Sequence, residues 1–134
     1  MGAPVFKSAL QWTEETRNGV DKCEARFTKP RPECPNPEYW TSEDIEATER
    51  EVIEGVAGLV RMLQPDLLLE TGSHRGFMAQ SIGNAIQKNG HGRLLSVEID
   101  PTLHSVASTR CAGLPVEVVL GSSLDVPVPP RLDF

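Results

Sequence analysis

The residues best suited to chemistry lie in one short stretch, Glu70-Thr71-Gly72-Ser73-His74-Arg75-Gly76, and at one later acid, Glu98. Glu70 ends the apolar run Leu67-Leu68-Leu69, where a carboxylate needs a partner because burying an unpaired charge is costly. A cationic or hydrogen-bond-donating ligand would supply one. Gly72 and Gly76 lack a Cβ, so the backbone can turn tightly there and a ligand can approach it, although many strand-to-helix turns need glycine for structural reasons alone. Glu98 closes Leu94-Leu95-Ser96-Val97, the place where a doubly wound fold puts an acid that accepts hydrogen bonds from both hydroxyls of a ribose. Each such charged bond is worth about 1.5–3 kcal/mol; the bland alternative is an exposed strand-end carboxylate. A polar loop, Gly121-Ser122-Ser123-Leu124-Asp125, follows a third apolar run and could reach the far end of the same ligand.

Other chemistries find less support. Gly72-Ser73-His74-Arg75-Gly76 has its serine in the wrong place for a nucleophile elbow. His91 and His104 read as solvated residues, and His74 differs from them only by its position. Cys23, Cys34 and Cys111 fit neither a disulfide framework nor paired zinc spacing, leaving a Cys23–Cys34 contact as a minor alternative. No metal ligand is assigned. A nicotinamide dehydrogenase also ends its second strand with an acid, but its Gly-x-Gly-x-x-Gly phosphate loop requires a second glycine where this chain has His74.

The elements that must position these residues alternate. From Thr41, with Thr41 or Ser42 as cap and Glu43 and Asp44 at the positive end, Ile45, Val52, Val56, Leu59 and Leu63 recur at helical spacing and predict a helix ending at Gln64, before Pro65. Pro65 to Glu70 then reads as a strand covered on both faces. The pattern predicts a helix over 77–88 with Phe77, Ile82, Ala85 and Ile86 in the core, closed by Asn89-Gly90-His91-Gly92. A strand over 93–99, a helix over 101–111 opened by Pro101, a strand over 116–120 and a loop over 121–131 follow, and Leu132-Asp133-Phe134 reads as a fourth strand beginning. The fold class is therefore α/β: a Rossmann-like, doubly wound parallel sheet, incomplete, with strands 1 to 3 and the start of 4. Residues 1–40 read as an extended arm, since Lys29 to Pro37 carries four prolines and cannot sustain a helix; a short helix around Phe6 to Glu15, with Phe6, Leu10 and Trp12 on one face, is an alternative for its first part. The expected organisation is this arm over 1–40 and the Rossmann-like region over 41–134.

Together these segments resemble the class I S-adenosylmethionine-dependent methyltransferases, in the flavour of the small-molecule O-methyltransferase branch. Leu68 to Gly76 is similar to that family's Glu-x-Gly-x-x-x-Gly cofactor motif, Ser96-Val97-Glu98-Ile99-Asp100 to its ribose-binding acidic strand end, and Leu120 to Asp125 to its adenine-contacting loop. The resemblance spans Pro65 to Phe134. It implies S-adenosylmethionine as cofactor, with Glu70, Gly72 and Gly76 on the methionine and sulfonium side, Ser73 and His74 over the same pocket, Glu98 on the ribose, and Ser123 with Leu124 on the adenine. The groups that position and deprotonate the methyl acceptor lie, in the family, on and after the fourth strand. Asp133 matches only the structural acid that opens that strand, so the catalytic residues and the acceptor stay unknown.

Composition bounds the rest. A chain of 134 residues suits one domain, and a formal charge of −6 gives no footprint for a nucleic-acid backbone. No long apolar run or secretory leader is evident, so the expectation is a soluble, cytoplasmic protein with no membrane partner. Without a complete fourth strand, Leu67 to Leu69 would form an apolar sheet edge that invites pairing. The expectations that follow are a truncated product, a homo-oligomer, or a subunit whose sheet is completed at strand 1 by a partner chain. A non-catalytic scaffold that retains the half-fold and uses its proline-rich arm for contacts is the competing function.

Overall fold

A computed structural model describes residues 32, 35–42 and 47–134. The short helix at Phe6 to Glu15 and the Cys23–Cys34 contact lie outside them. The chain divides into two units, Met1–Val52 and Ile53–Phe134.

In the first unit a 3₁₀ turn forms at Pro37–Tyr39, where the Tyr39 and Trp40 amides donate to the carbonyls of Asn36 and Pro37. Proline at the first position of this turn supplies the required φ. The leading helix, α1, runs Arg50–Leu63 and does not start behind Thr41 as expected. The candidate caps are engaged elsewhere. Thr41 donates from its amide and hydroxyl to the Glu51 carboxylate at 2.8–3.2 Å, while Ser42 donates to the Ala47 carbonyl at 3.0 Å and bridges Glu49.

The second unit is an open parallel sheet with strand order β1-β2-β3: β1 Leu67–Thr71, β2 Arg93–Glu98 and β3 Val116–Leu120. Helices α2, Phe77–Asn89, and α3, Pro101–Arg110, make the crossovers. Parallel neighbours demand such crossovers, so the alternation read from the sequence becomes topology. The register pairs Leu68 with Leu94 and Glu70 with Ser96, then Leu94 with Val116 and Ser96 with Val118. Leu68, Leu94, Ile82, Ala85, Ile86 and Val60 fill the core, each large aliphatic side chain contributing about 1.5–3 kcal/mol by leaving water. At Gly83 an added Cβ would stand 2.6 Å from Val116 Cγ2, so a side chain there would force α2 off the sheet. Asp100 caps α3, its Oδ1 accepting from Thr102 and Leu103 at 2.8 and 2.9 Å, a bonding pattern worth about 1 kcal/mol.

Three expectations need correction here. On α1 the buried residues are Ile53 and Val60, whereas Val52, Leu59 and Leu63 are 42, 44 and 58 % exposed. The apolar arc of this helix runs from Leu59 through Val52 and Val56 to Ile53 and Ala57, so spacing alone does not choose which part of it faces the core. Phe77 is only half-buried and carries the Arg110 guanidinium 3.9 Å above its ring. The β1 edge is not open: Leu69 N–H donates to the Phe134 carbonyl at 3.0 Å, and Asp133 N–H to the Leu67 carbonyl at 2.9 Å. Asp133 also takes the Leu67 N–H on its carboxylate at 3.1 Å. Leu132 to Phe134 thus start a ladder on the side of β1 away from β2, where the fourth strand was expected. Among the described residues no helix is long and apolar enough to cross a membrane.

Candidate functional site

The site forms where β1 and β2 end side by side. Glu70 sits near the end of β1 opposite Ser96, and Glu98 is the last residue of β2. Between β1 and α2 the chain folds back over β2, because the amides of Gly72 and Ser73 both donate to the Val97 carbonyl, at 2.8 and 3.1 Å. This turn takes up three left-handed residues, Gly72 at φ 77°, His74 at φ 50° and Gly76 at φ 81°.

The two glycines have different reasons to be glycine. A Cβ at Gly72 would meet nothing within 4 Å, so its backbone borders open space. At Gly76 it would lie 2.9 Å from Ala107 Cα, so that glycine lets α2 begin against α3. Gly76 is buried and serves packing, away from the open side where the motif reading placed it.

The acids are held from below. Ser96, fully buried, donates to Glu70 Oε2 at 2.5 Å, and its hydroxyl also bonds the buried hydroxyl of Ser73. Ser73 therefore points beneath the turn, toward β2. Glu98, 5 % exposed, accepts His74 N–H on Oε2 at 2.6 Å and Asp100 N–H on Oε1 at 2.9 Å. Its own carbonyl takes the Gly121 N–H at 2.9 Å, which brings the start of the third loop beside it. Ser123 is exposed and Leu124 is 92 % exposed, so the structure leaves the expected adenine pair in solvent.

Electrostatically this corner of the sheet is acidic. Burial pushes the Glu70 carboxyl above its ordinary range, the Ser96 bond lowers it, and the nearby Glu98 raises it further. Among the described residues neither acid has an ion-pair partner. Cys111, beneath the same corner, is pushed up to about 11 by burial and by Glu70, with Arg110 opposing, so its thiol is not a nucleophile at neutral pH. His104 and His91 have structural partners: His104 Nε2 lies 3.0 Å from the Val118 carbonyl, and His91 spans Asp66 and Gln64 at 2.8 and 3.1 Å. Among the described residues no cluster of three or more His, Cys, Asp or Glu could hold a metal.

The arrangement can accept hydrogen bonds from a cation or a polyol at two adjacent carboxylates, beside a backbone turn that a ligand can touch. Sequence reasoning missed Ser96 and Asp100. A lone hydroxyl in an otherwise apolar strand, and an acid immediately before Pro101, were the signals available.

No family model matches the chain, and no curated protein matches it. Solved structures do. The chain is similar to cofactor-bound Rv0187 from MTB, with a TM-score of 0.55 and 27 % identity over 60 % of this chain and 38 % of that one. It is similar to the O-methyltransferase TomG from Streptomyces achromogenes in complex with SAM, with a TM-score of 0.55 and 20 % identity over 93 % of this chain and 46 % of TomG. The O-methyltransferase from Bacillus cereus in complex with SAH gives 0.53 and 22 % over 58 % of this chain and 36 % of that one. The match therefore spans less than half the length of each of these structures.

Proposed function

We propose that this chain, whose sheet has the partial Rossmann-like fold of the class I O-methyltransferases, is an S-adenosylmethionine-dependent methyltransferase or its cofactor-binding fragment. The observation that carries this reading is the pair Glu70 and Glu98: two carboxylates at neighbouring strand tips, bordering an open glycine turn, with no cation beside them among the described residues. The cofactor is an adenosyl sulfonium carrying two ribose hydroxyls and an ammonium group, and such a molecule supplies the charge and donors these acids lack. When bound it supplies a transferable methyl group.

In this reading Glu70 and the Gly72 backbone face the methionine and sulfonium end. Glu98 uses its remaining lone pairs for the ribose, and His74 covers the pocket beside it. Ser73 and Gly76 act indirectly, one beneath the turn and the other where α2 meets α3. Ser123 and Leu124 close on the adenine as their loop folds in. No residue of this chain is assigned to the acceptor or to the methyl-transfer step. We place the protein in the cytoplasm. A partner chain or a second copy would extend the sheet at β1 by continuing the ladder that Leu132 to Phe134 begin.

One observation favours a second reading, a scaffold without cofactor. Both Glu98 oxygens already hold backbone amides, a role the acid could fill for the fold alone. Calorimetric titration with S-adenosylhomocysteine separates the two. Binding that disappears in Glu98→Ala supports the cofactor reading, and no heat of binding at any accessible concentration supports the scaffold.

A further inference from the structure

We propose that Ser96 is the positioning residue of this crevice, its hydroxyl tying the Glu70 carboxylate to the glycine turn through an ordered chain from Ser73 to Ser96 to Glu70. What Glu70 faces rests on the cofactor reading above; the chain itself belongs to the fold. Ser96 occupies a fully buried position in β2, two residues from Leu94, on the sheet face that otherwise carries Leu68 and Leu94 into the core. A hydroxyl there costs stability unless it is bonded, and Ser96 bonds the buried Ser73 hydroxyl on one side and the Glu70 carboxylate on the other.

The order of donors follows from proton count. An ionised carboxylate only accepts, and a serine hydroxyl has one hydrogen. Ser96 gives its hydrogen to Glu70 Oε2, so the Ser73 hydroxyl donates to Ser96. Ser73 is also fixed through its amide to the Val97 carbonyl, so the chain joins β1, β2 and the turn at one point. Protonation makes Glu70 a weaker acceptor, so the Ser96 bond is worth less to the neutral carboxyl than to the charged one. Ser96 therefore favours the charged form of Glu70, against burial and against Glu98. The other titratable groups at this corner are Cys111 at the end of α3, with Arg110 beside it, and His74 and Arg75 in the turn.

The test is a carboxyl-carbon NMR titration of Glu70 in the ligand-free protein, followed by the pH dependence of S-adenosylhomocysteine affinity. Ser96→Ala should move the Glu70 midpoint upward and make affinity fall away at a higher pH than in the wild type, while Ser96→Thr restores both curves. Ser73→Ala leaves the Ser96–Glu70 bond in place and should move the midpoint up by less; it carries the test if Ser96→Ala does not fold. A Ser96→Ala midpoint superimposed on the wild type, or an unmoved midpoint in Ser73→Ala where that variant alone folds, overturns the proposal. Midpoints that move as expected in a protein that binds no S-adenosylhomocysteine at any pH would uphold the positioning of Glu70 and sink the cofactor reading instead.

Discussion

The Glu98 carboxylate is fastened to the backbone of His74, Oε2 taking the His74 N–H at 2.6 Å, while Oε1 takes the Asp100 N–H at 2.9 Å. One side chain thus joins the end of β2 to the glycine turn and to the cap of α3. An acid used this way fixes the turn against the end of β2.

Replacing Glu98 should therefore cost both stability and binding. Hydrogen bonds to a charged group contribute about 1.5–3 kcal/mol each, so Glu98→Ala is expected to lower the thermal midpoint and abolish S-adenosylhomocysteine binding. Glu98→Gln, which retains one acceptor oxygen, should recover part of the stability. Thermal unfolding and calorimetry on the same samples check this.

The two turn glycines should separate packing from ligand approach. At Gly76 a methyl group meets Ala107 and a left-handed backbone, a strain of about 1–2 kcal/mol with overpacking of about 1–3 kcal/mol added. At Gly72 the same change adds only the backbone strain, since the space is open. Gly76→Ala should show the larger drop in thermal midpoint, and Gly72→Ala the larger loss of ligand affinity per unit of stability lost.

Glu70 should destabilise the ligand-free protein at neutral pH. Its carboxyl is raised from the ordinary value of 4.5 by burial, so the folded state holds that proton more tightly than the unfolded chain does. The linked stability is present below that value and is lost as pH rises through the folded-state value. Glu70→Gln should flatten this decline and unfold at a higher temperature than wild type at pH 7 without ligand. For a unit of this size, each 1 kcal/mol gained corresponds to about 4–8 °C. The same variant should bind S-adenosylmethionine more weakly, and a wild type more stable than Glu70→Gln at pH 7 without ligand would contradict the prediction.

The β1 edge should depend on Asp133. Its amide and carboxylate both pair with Leu67, so deleting Leu132 to Phe134 exposes the backbone groups of Leu67 and Leu69. An apolar edge of that kind recruits other chains. Sedimentation velocity should show concentration-dependent association of the shortened protein beyond that of the parent, with Asp133→Ala intermediate.

Much of this arrangement was legible in the sequence, for reasons that can be named. The runs Leu67 to Leu69 and Leu94 to Val97 have no polar alternation in their apolar part except Ser96, as strands of a parallel sheet require, and α2 ends at Gly90, whose amide bonds back to Ile86 and Gln87. Glu70 and Glu98 were readable as a pair because strand ends in this topology converge. The start and facing of α1 were not readable, since Thr41 and Ser42 have the chemistry of caps but bond Glu51, Ala47 and Glu49 across a local fold. Nor was the inward direction of Ser73, which depends on meeting Ser96 from a different strand. The separate duties of Gly72 and Gly76 likewise depend on where α3 lies.

The central claim, that the crevice between Glu70 and Glu98 receives an adenosyl sulfonium, is tested most directly by amide chemical-shift mapping during titration with S-adenosylmethionine. The account predicts saturable shifts at Gly72, Ser73, His74, Asp100 and Gly121, with amides at the opposite end of the sheet, such as His91 and Arg93, unmoved. Saturable shifts confined to residues away from both strand tips, or none at millimolar ligand, would contradict it.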